Sequence, residues 1–446
     1  MRALPALADG IERLPSAVWR GEVRNAVGMT LELDGLQRLL GVGDRCRVEA
    51  RDGRSVLCEA VGFRNGRTLL MAFESLDGVA EGCFGYTAGE FSAPRPGPGW
   101  LGRVVDALGR PVDGKGPLPS GDTAAPLRRQ PPAAYTRRRV GAKLDTGVRV
   151  LDCFVPICRG QRLGIFAGSG VGKSTLLSML ARHADADVNV IGLIGERGRE
   201  VQEFIQDDLG PEGLARSVVV VATSDEPPLM RRQAALLTLA AAEAFRDRGA
   251  HVLCMMDSVT RFAMAQREIG LAAGEPPTSK GYPPTVFAEL PGLLERAGPG
   301  TEAQGDITGI FTVLVDGDDH DEPVADAVRG ILDGHIVLDR RIGELGRYPA
   351  VNLLRSVSRT LPACHTPHQN QVMRKAKALA ATYEAMRELV RIGAYKRGAD
   401  AEVDEAVALH PLLETFLTQW KDDRTPSEGT FAGLEEILAL SHMETP

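Results

Sequence analysis

Nine residues of this 446-residue chain carry the clearest chemistry: Ala167-Gly168-Ser169-Gly170-Val171-Gly172-Lys173-Ser174-Thr175. Closely spaced glycines let backbone N–H groups curl around a phosphate without Cβ clashes. Lys173 can reach the outer phosphates, and Ser174 can ligate Mg²⁺. Ala167 stands where such loops usually open on glycine. A second candidate is Asp257, which closes the apolar run His251-Val-Leu-Cys-Met-Met256. Alone it would read as a turn or cap; near a phosphate loop it suits the aspartate that holds the metal's hydration shell. A third is Glu196, in Val190-Ile-Gly-Leu-Ile-Gly-Glu196-Arg197-Gly198-Arg199-Glu200. A carboxylate at the C-terminal edge of a strand can orient an attacking water. Arg197 would then be available to the γ-phosphate and Glu200 would support the metal. Arg197–Glu203 equally fits the charged, solvated start of a helix.

The surrounding pattern supplies the elements that position these groups. Arg162–Ala167 is a short apolar run, and Ser174–Arg182 repeats apolar residues three and four apart, so the loop lies between a strand and a helix. The helix N-terminus adds its positive dipole end to the phosphate site. Further apolar strands are predicted at 163–167, 188–194, 218–222, 251–256 and 310–315. Their nearly unbroken apolar character indicates burial on both faces, hence a parallel sheet. Arg231–Arg248 reads as a long helix stopped by Gly249, and 369–392 and 404–420 read as helices with little strand signal between them.

Ahead of this α/β region, short alternating segments from Val18 to Phe91 are separated by Asp34-Gly35, Asp52-Gly53 and Asn65-Gly66, as in a small antiparallel β-barrel. Ala93-Pro-Arg-Pro-Gly-Pro-Gly99 reads as a stiff linker. The expected organisation is an extension at 1–17, a β-barrel domain at 18–92, a linker at 93–99, a P-loop nucleotide-binding domain at 100–355 and a helical C-terminal domain at 356–446. In the extension Leu4, Leu7, Ile11 and Leu14 share one helical face, interrupted by Pro5 and Pro15.

Composition bounds the function. The chain is 43% hydrophobic, 25% charged and 5% aromatic, with a net charge of -7, which argues against a surface built to wrap nucleic acid. No apolar run approaches the ~20 residues that span a bilayer. Seven scattered cysteines without a CxxC pair read as free cytosolic thiols, with Cys153 and Cys158 as packing residues.

The motif at 195–201 and the strand ending at Asp257 resemble the catalytic subunits of the rotary ATPase family. So does Pro349-Ala-Val-Asn-Leu-Leu-Arg-Ser-Val-Ser358. The segments 160–174, Met264-Ala-Gln-Arg-Glu-Ile-Gly270, Gly274-Glu-Pro-Pro277, Lys280-Gly-Tyr-Pro-Pro-Thr-Val-Phe287 and Ile392-Gly-Ala-Tyr-Lys-Arg-Gly398 narrow the resemblance to flagellum-specific ATPases of the bacterial type III protein export apparatus. It spans about 18–416.

The resemblance implies a homohexamer with sites at subunit interfaces, hydrolysing MgATP. It implies that Tyr348 packs on adenine, where the residue type alone would favour core packing, and that Arg359 acts as an arginine finger across the interface, where a surface ion pair would otherwise be expected. Glu295-Arg296 matches an interfacial segment without a catalytic role. Implied partners are a regulator or stator protein at the N-terminal end, a central stalk protein, export chaperone–substrate complexes and a membrane export gate. The implied location is cytoplasmic, peripheral at the inner membrane. Sister readings are an injection-type secretion ATPase, the catalytic subunit of a rotary ATP synthase, an RNA-translocating hexameric helicase and a non-catalytic regulatory subunit. The acidic chain and the few barrel aromatics weigh against the helicase, and Glu196 against the non-catalytic subunit.

Overall fold

A computed structural model of the protein describes residues 19–87, 93–315 and 322–440; the 1–17 extension lies outside the described residues. The described chain divides into two compact units. One contains the barrel with Glu226–Met230 and Ala265–Pro283, and the other contains the remaining described residues.

In the first unit, β1 (Arg20–Val27), β2 (Thr30–Asp34), β3 (Arg45–Glu49), β4 (Ser55–Arg64), β5 (Arg67–Ala72) and β6 (Phe84–Thr87) close into a barrel in the order β1-β2-β5-β4-β3-β6. Every pairing is antiparallel. Period-two alternation turns Val23, Leu31, Leu33, Val48, Val56 and Leu70 into a shared core. Asn65 and Gly66 form the two-residue turn between β4 and β5, with φ of 49° and 75°. That left-handed pair is the reason Asn-Gly marks such hairpins. Sequence pattern missed β6, which is short and diluted by Gly85. A Cβ there would come 2.9 Å from Leu33 Cδ1, so any larger residue would have to displace that side chain in the barrel core.

The second unit is built on a nine-stranded sheet: β7 (Arg103–Asp106), β8 (Arg162–Ala167), β9 (Val188–Glu196), β10 (Ser217–Thr223), β11 (Val252–Asp257), β12 (Gly298–Pro299), β13 (Asp306–Leu314), β14 (Gly334–Val337) and β15 (Val357–Ser358). Their order is β15-β14-β8-β13-β11-β9-β10-β7, with β12 on β13. From β14 to β7 all neighbours are parallel. All five strands read from the sequence are present. Missed were the short strands β7, β12, β14 and β15, whose polar ends leave little apolar run to detect. Arg103, for example, opens β7 and is held by Asp113 at 2.7 Å.

A parallel sheet puts every strand's C-terminal end on one edge, so the residues after β8, β9 and β11 converge there. Helix Lys173–His183 follows β8 and buries Leu176, Leu177, Met179 and Leu180 against the sheet.

The long helix expected at 231 starts at Pro228, where proline's fixed φ suits a first turn. It ends at Arg246, with Gly249 left-handed just beyond at φ 91°. The C-terminal helices run Pro367–Arg391 and Ala401–Leu417, both starting slightly before the expected bounds. Thr366 with Gln369 forms a capping box on the first, and the Asp400 side chain caps the second. A third helix, Ser427–Ala439, was not anticipated. At its other edge the sheet extends to Ser358, because β15 hydrogen-bonds β14.

One buried ion pair crosses this unit. Arg296 donates to both oxygens of Glu243 at 2.9 and 2.8 Å, and both side chains are 2% exposed. Arg296 is thus a structural residue, while its neighbour Glu295 pairs with Arg162 at 2.5 Å.

Candidate functional site

The phosphate loop leaves β8 at Ala167, whose carbonyl accepts from Val315 N, and enters the helix at Gly172. Gly170 and Gly172 are left-handed, with φ of 76° and 90°. Only glycine adopts such turns without strain, and they aim successive N–H groups into one concavity. Ala167 is 1% exposed and packs into the core, so the small side chain in place of the usual glycine is accommodated.

Lys173 does not point into solvent. Its Nζ lies 2.5 Å from Asp257 Oδ1 and 3.3 Å from Glu196 Oε1, bringing together three of the residues singled out from the sequence. Burial opposes the lysine's charge, but the Asp257 and Glu196 carboxylates outweigh it and raise its pKa. Glu196 is pushed up to about 7, chiefly by burial, then by the Asp257 charge; Lys173 pulls the other way. A carboxyl tuned toward neutrality in a cleft is suited to proton transfer.

Local backbone explains how Glu196 is aimed. Gly195 has φ 70°, and β9 slips register against β10 at Ala222/Thr223, so a bulge turns the strand end toward Lys173. A Cβ at Gly195 would come 2.9 Å from the Arg261 side chain. Arg261 was not anticipated, nor was Thr312, which donates to Asp257 Oδ1 at 2.7 Å and fixes that carboxylate. Neither has a sequence signature; each reaches the site through strand and helix pairing. Arg340, also unanticipated, donates to the Ser169 carbonyl of the loop at 3.1 Å.

Glu200 hydrogen-bonds the Glu196 carboxyl, which helps keep that group protonated. It also pairs with Arg197 Nη1 at 3.4 Å. Arg197 itself is 81% exposed and does not join the Lys173 cluster. Ser174 is exposed in the first turn of the helix, and Gly168, Ser169, Val171 and Thr175 complete the loop. Among the described residues no group of three acidic, histidine or cysteine side chains forms a metal cage. One aspartate and one hydroxyl beside a phosphate cradle is nonetheless the donor set that suits Mg²⁺, which keeps most of its water and takes the rest from phosphates.

Tyr348 lies at the same edge. Its ring flanks Gly172, where a Cβ would come 3.3 Å from ring carbons, and the side chain remains accessible. It is therefore not a core residue. Two contacts from the C-terminal helical region brace it: Gln419 N donates to the Tyr348 carbonyl at 2.7 Å, and Glu414 pairs with Arg347 at 2.8 Å.

Arg359 lies elsewhere. Its backbone N–H donates to the Asp333 carbonyl, and Asp333 in turn accepts from Arg162 at the start of β8. That is the opposite edge of the sheet from the phosphate loop, about 17 Å away at ~3.3 Å per strand residue. No arginine side chain spans that gap, so Arg359 cannot serve the site of its own chain. It is exposed, and among the described residues its guanidinium has no ion pair.

A phosphate loop, a strand-end aspartate and a poised glutamate on one parallel sheet, in a chain that also carries a six-stranded barrel, define a nucleotide-hydrolysing enzyme. The chain belongs to the ATP synthase alpha/beta family: the nucleotide-binding domain of that family matches residues 147–358 and its beta-barrel domain residues 23–84. The T3SS EscN ATPase C-terminal domain matches 365–436. The enzyme is an ATPase.

Within the family, the chain is 55% identical to a flagellum-specific ATP synthase of Caulobacter vibrioides, covering 97% of this chain and 99% of that protein. It is 49% identical to the flagellum-specific ATP synthase of Bacillus subtilis, over 97% and 98%. It is 47% identical to a type 3 secretion system ATPase of Xanthomonas euvesicatoria, over 94% and 93%. The assembled ATPase EscN of the enteropathogenic E. coli type III secretion system superposes with a TM-score of 0.86 at 39% identity, over 94% of this chain and 100% of that one. EscN in complex with its central stalk EscO superposes with a TM-score of 0.84 at the same identity and coverage.

Proposed function

We propose that this protein is the ATPase that energises export of flagellar proteins through a type III export apparatus, working as a homohexamer. The observation that carries the catalytic reading is the Lys173–Asp257–Glu196 cluster at the mouth of the phosphate loop. ATP lies on Gly168–Thr175 with Lys173 on the β- and γ-phosphates and Tyr348 against the adenine. Ser174 and Asp257 would hold Mg²⁺, partly through water, with Glu200 behind them. Bound there, the ion supplies neutralising charge to the phosphate oxygens. Glu196 orients the water for in-line attack and receives its proton.

Arg359 completes the site of the neighbouring subunit, where its planar fork meets charge spread over the phosphoryl oxygens. Its position at the far edge of the sheet supports a role between chains. Arg197 reaches the γ-phosphate if the exposed side chain swings inward on nucleotide binding.

The flagellar reading rests on the high identity to flagellum-specific relatives along nearly the whole chain. By the same resemblance, the partners are a regulator or stator protein, a central stalk, export chaperone–substrate complexes and the membrane export gate. Among the described residues no helix is long and apolar enough to cross a membrane. By the same resemblance, the proposed place of work is the cytoplasmic face of the inner membrane, held there peripherally.

Deletion of the gene, scored for filament assembly and for respiratory ATP synthesis, tests the assignment. Loss of filaments with intact ATP synthesis supports it; the reverse pattern assigns the chain to the synthase branch. Loss of effector injection with normal filaments assigns it to the injection-type secretion branch.

A further inference from the structure

Tyr348 sits at the nucleotide edge on a segment that is open on its outer side. Leu345 is exposed, and the Tyr348 ring flanks Gly172 of the phosphate loop. What holds this segment lies behind it. The Arg347 side chain is buried; its Nη2 donates to the Val351 carbonyl at 3.0 Å, and its Nε lies 2.8 Å from Glu414 Oε2. That N–H is not aligned as a hydrogen bond, so the contact with Glu414 is an ion pair. Just beyond the helix that carries Glu414, Gln419 N donates to the Tyr348 carbonyl at 2.7 Å. Gln419 is itself anchored. Its Oε1 accepts from Arg149 N at 3.0 Å, and its Nε2 donates to the carbonyls of Gly147 and Asp423 at 2.7 and 2.9 Å. The end of helix Ala401–Leu417 and the turn after it thus grip two consecutive residues, Arg347 and Tyr348.

We propose that Glu414 is a positioning residue for the nucleotide site, setting through Arg347 the orientation of the Tyr348 ring and so tuning affinity for ATP. The proposal rests on the reading of Tyr348 as the residue that meets adenine. The two grips have different effects. A single hydrogen bond from Gln419 fixes the place of the Tyr348 backbone but leaves its direction free, and a second attachment one residue away removes that freedom.

Electrostatics makes the second attachment specific. Burial disfavours the Arg347 charge and the Glu414 carboxylate supports it, while Nη1 has no partner among the described residues. An enclosed guanidinium stripped of its carboxylate is costly, so this side chain stays where Glu414 is. His410 Nε2 lies 3.8 Å from the other Glu414 oxygen, but burial and then the Arg347 charge hold its pKa down to about 4. The imidazole is therefore neutral near pH 7 and leaves the carboxylate's charge to Arg347. His410 also stacks on Tyr383 of helix Pro367–Arg391, with ring centroids 3.6 Å apart. Contacts thus run without a break from Tyr383 through His410, Glu414 and Arg347 to the residue beside the phosphate loop. A shift of helix Ala401–Leu417 would move Tyr348 by this route. Lys173, Glu196 and Asp257 are held by one another and by Thr312, so affinity rather than chemistry is what the route adjusts.

The test measures KM for ATP, kcat and the thermal midpoint of the full-length protein. The variants are Glu414→Gln, Tyr348→Ala, their combination, and Arg347→Met combined with Glu414→Leu. Glu414→Gln keeps the side chain's size and removes its charge. KM should rise about three- to tenfold, within the range of a displaced stacking ring, with kcat changed about twofold at most. On a Tyr348→Ala background the same change should raise KM no further, because residues that act through one contact are not additive. Replacing the ion pair by Met and Leu should bring the thermal midpoint back toward wild type while KM stays raised. Three results overturn the proposal: an unchanged KM in Glu414→Gln, a rise that adds in full to that of Tyr348→Ala, or a KM that returns together with the thermal midpoint in the apolar pair. An unchanged KM in Tyr348→Ala is a separate outcome, which removes the adenine reading and the proposal with it.

Discussion

Lys173 Nζ rests 2.5 Å from Asp257 Oδ1, closer than to any other group described around it. The lysine meant for phosphate is thus engaged by a carboxylate, with Glu196 as a second partner. ATP must exchange this ion pair for phosphate contacts, which brings the triphosphate within reach of both carboxylates. Replacing Lys173 by Ala removes the exchange and leaves two like charges facing each other in a buried cleft. Turnover should fall ~10²–10³-fold, as for loss of one preorganised charge donor. Nucleotide titration should show ATP binding weakened in parallel; undiminished binding would detach Lys173 from the phosphates.

Glu196→Gln separates binding from chemistry. The amide keeps the side chain's size but cannot take a proton, so ATP should bind about as in wild type while turnover drops ~10²–10⁴-fold. Single-turnover measurement on the variant settles this, because near-normal hydrolysis would remove Glu196 from the scheme.

The same residue sets a pH dependence. Its carboxyl is raised from the usual 4.5 to about 7. As a base it must be ionised, so kcat/KM of wild type should climb as pH rises through about 7 and level off above. Stability runs in the opposite sense. A raised folded-state pKa contributes stability in full below 4.5 and loses it as pH rises through 7. Glu196→Gln lacks that loss, so its thermal midpoint should exceed that of wild type at pH 8, with the gap closing toward pH 5. A gap that is constant with pH would contradict the buried, proton-binding glutamate.

Much of this site was legible because its chemistry is local in sequence. The loop glycines at 168, 170 and 172, and the strand ends at Glu196 and Asp257, are each read from a few neighbouring residues. Parallel strands then bring those ends together without further information. Thr312, Arg261 and Arg340 could not be read this way. Each reaches the site through strand order or a returning loop, and a lone Thr or Arg carries no pattern of its own. The fold shows the same division. Long apolar strands and capped helices declared themselves, whereas β6, β7, β14 and β15 are two to four residues long and exist because neighbours pair with them. The roles of Tyr348 and Arg359 came from resemblance alone. Geometry adds that one ring lies on the phosphate loop and the other side chain lies too far from it to act within its own chain.

Arg296 offers a test of the fold independent of catalysis. Arg296→Met leaves Glu243 charged and enclosed without its bidentate partner, which costs about 3–5 kcal/mol. Pairing it with Glu243→Leu should recover most of that loss, since an apolar pair of similar volume replaces two desolvated charges. Thermal or denaturant unfolding of the single and double variants reads the difference. Equal destabilisation in both would mean that packing rather than charge pairing decides this position.

Tyr348 should matter for affinity more than for rate. With its ring beside Gly172 it offers a stacking face at the phosphate loop, and base–aromatic stacking is worth ~1–3 kcal/mol. Tyr348→Ala should therefore raise KM for ATP about tenfold with kcat little changed, and Tyr348→Phe should restore it. A fall in kcat at unchanged KM would place the ring's role in chemistry or assembly instead.

Arg359 and Lys173 sit on opposite edges of one sheet, so a chain lacking either should be rescued only by the other. Arg359→Ala alone should lose ~10³-fold or more in turnover, the scale on which arginine fingers act. Lys173→Ala alone should lose ~10²–10³-fold. In a mixed ring, an Arg359→Ala subunit retains its phosphate loop and can receive Arg359 from an adjacent Lys173→Ala subunit, which rebuilds one complete site. Mixing the two purified variants should thus regain a fraction of wild-type turnover that neither shows alone, and the gain should vanish at dilutions where rings dissociate. If the mixture stays as inactive as its parts under conditions where mixed rings are shown to form, Arg359 does not act across the interface. Its exposed position would then serve contacts other than catalysis.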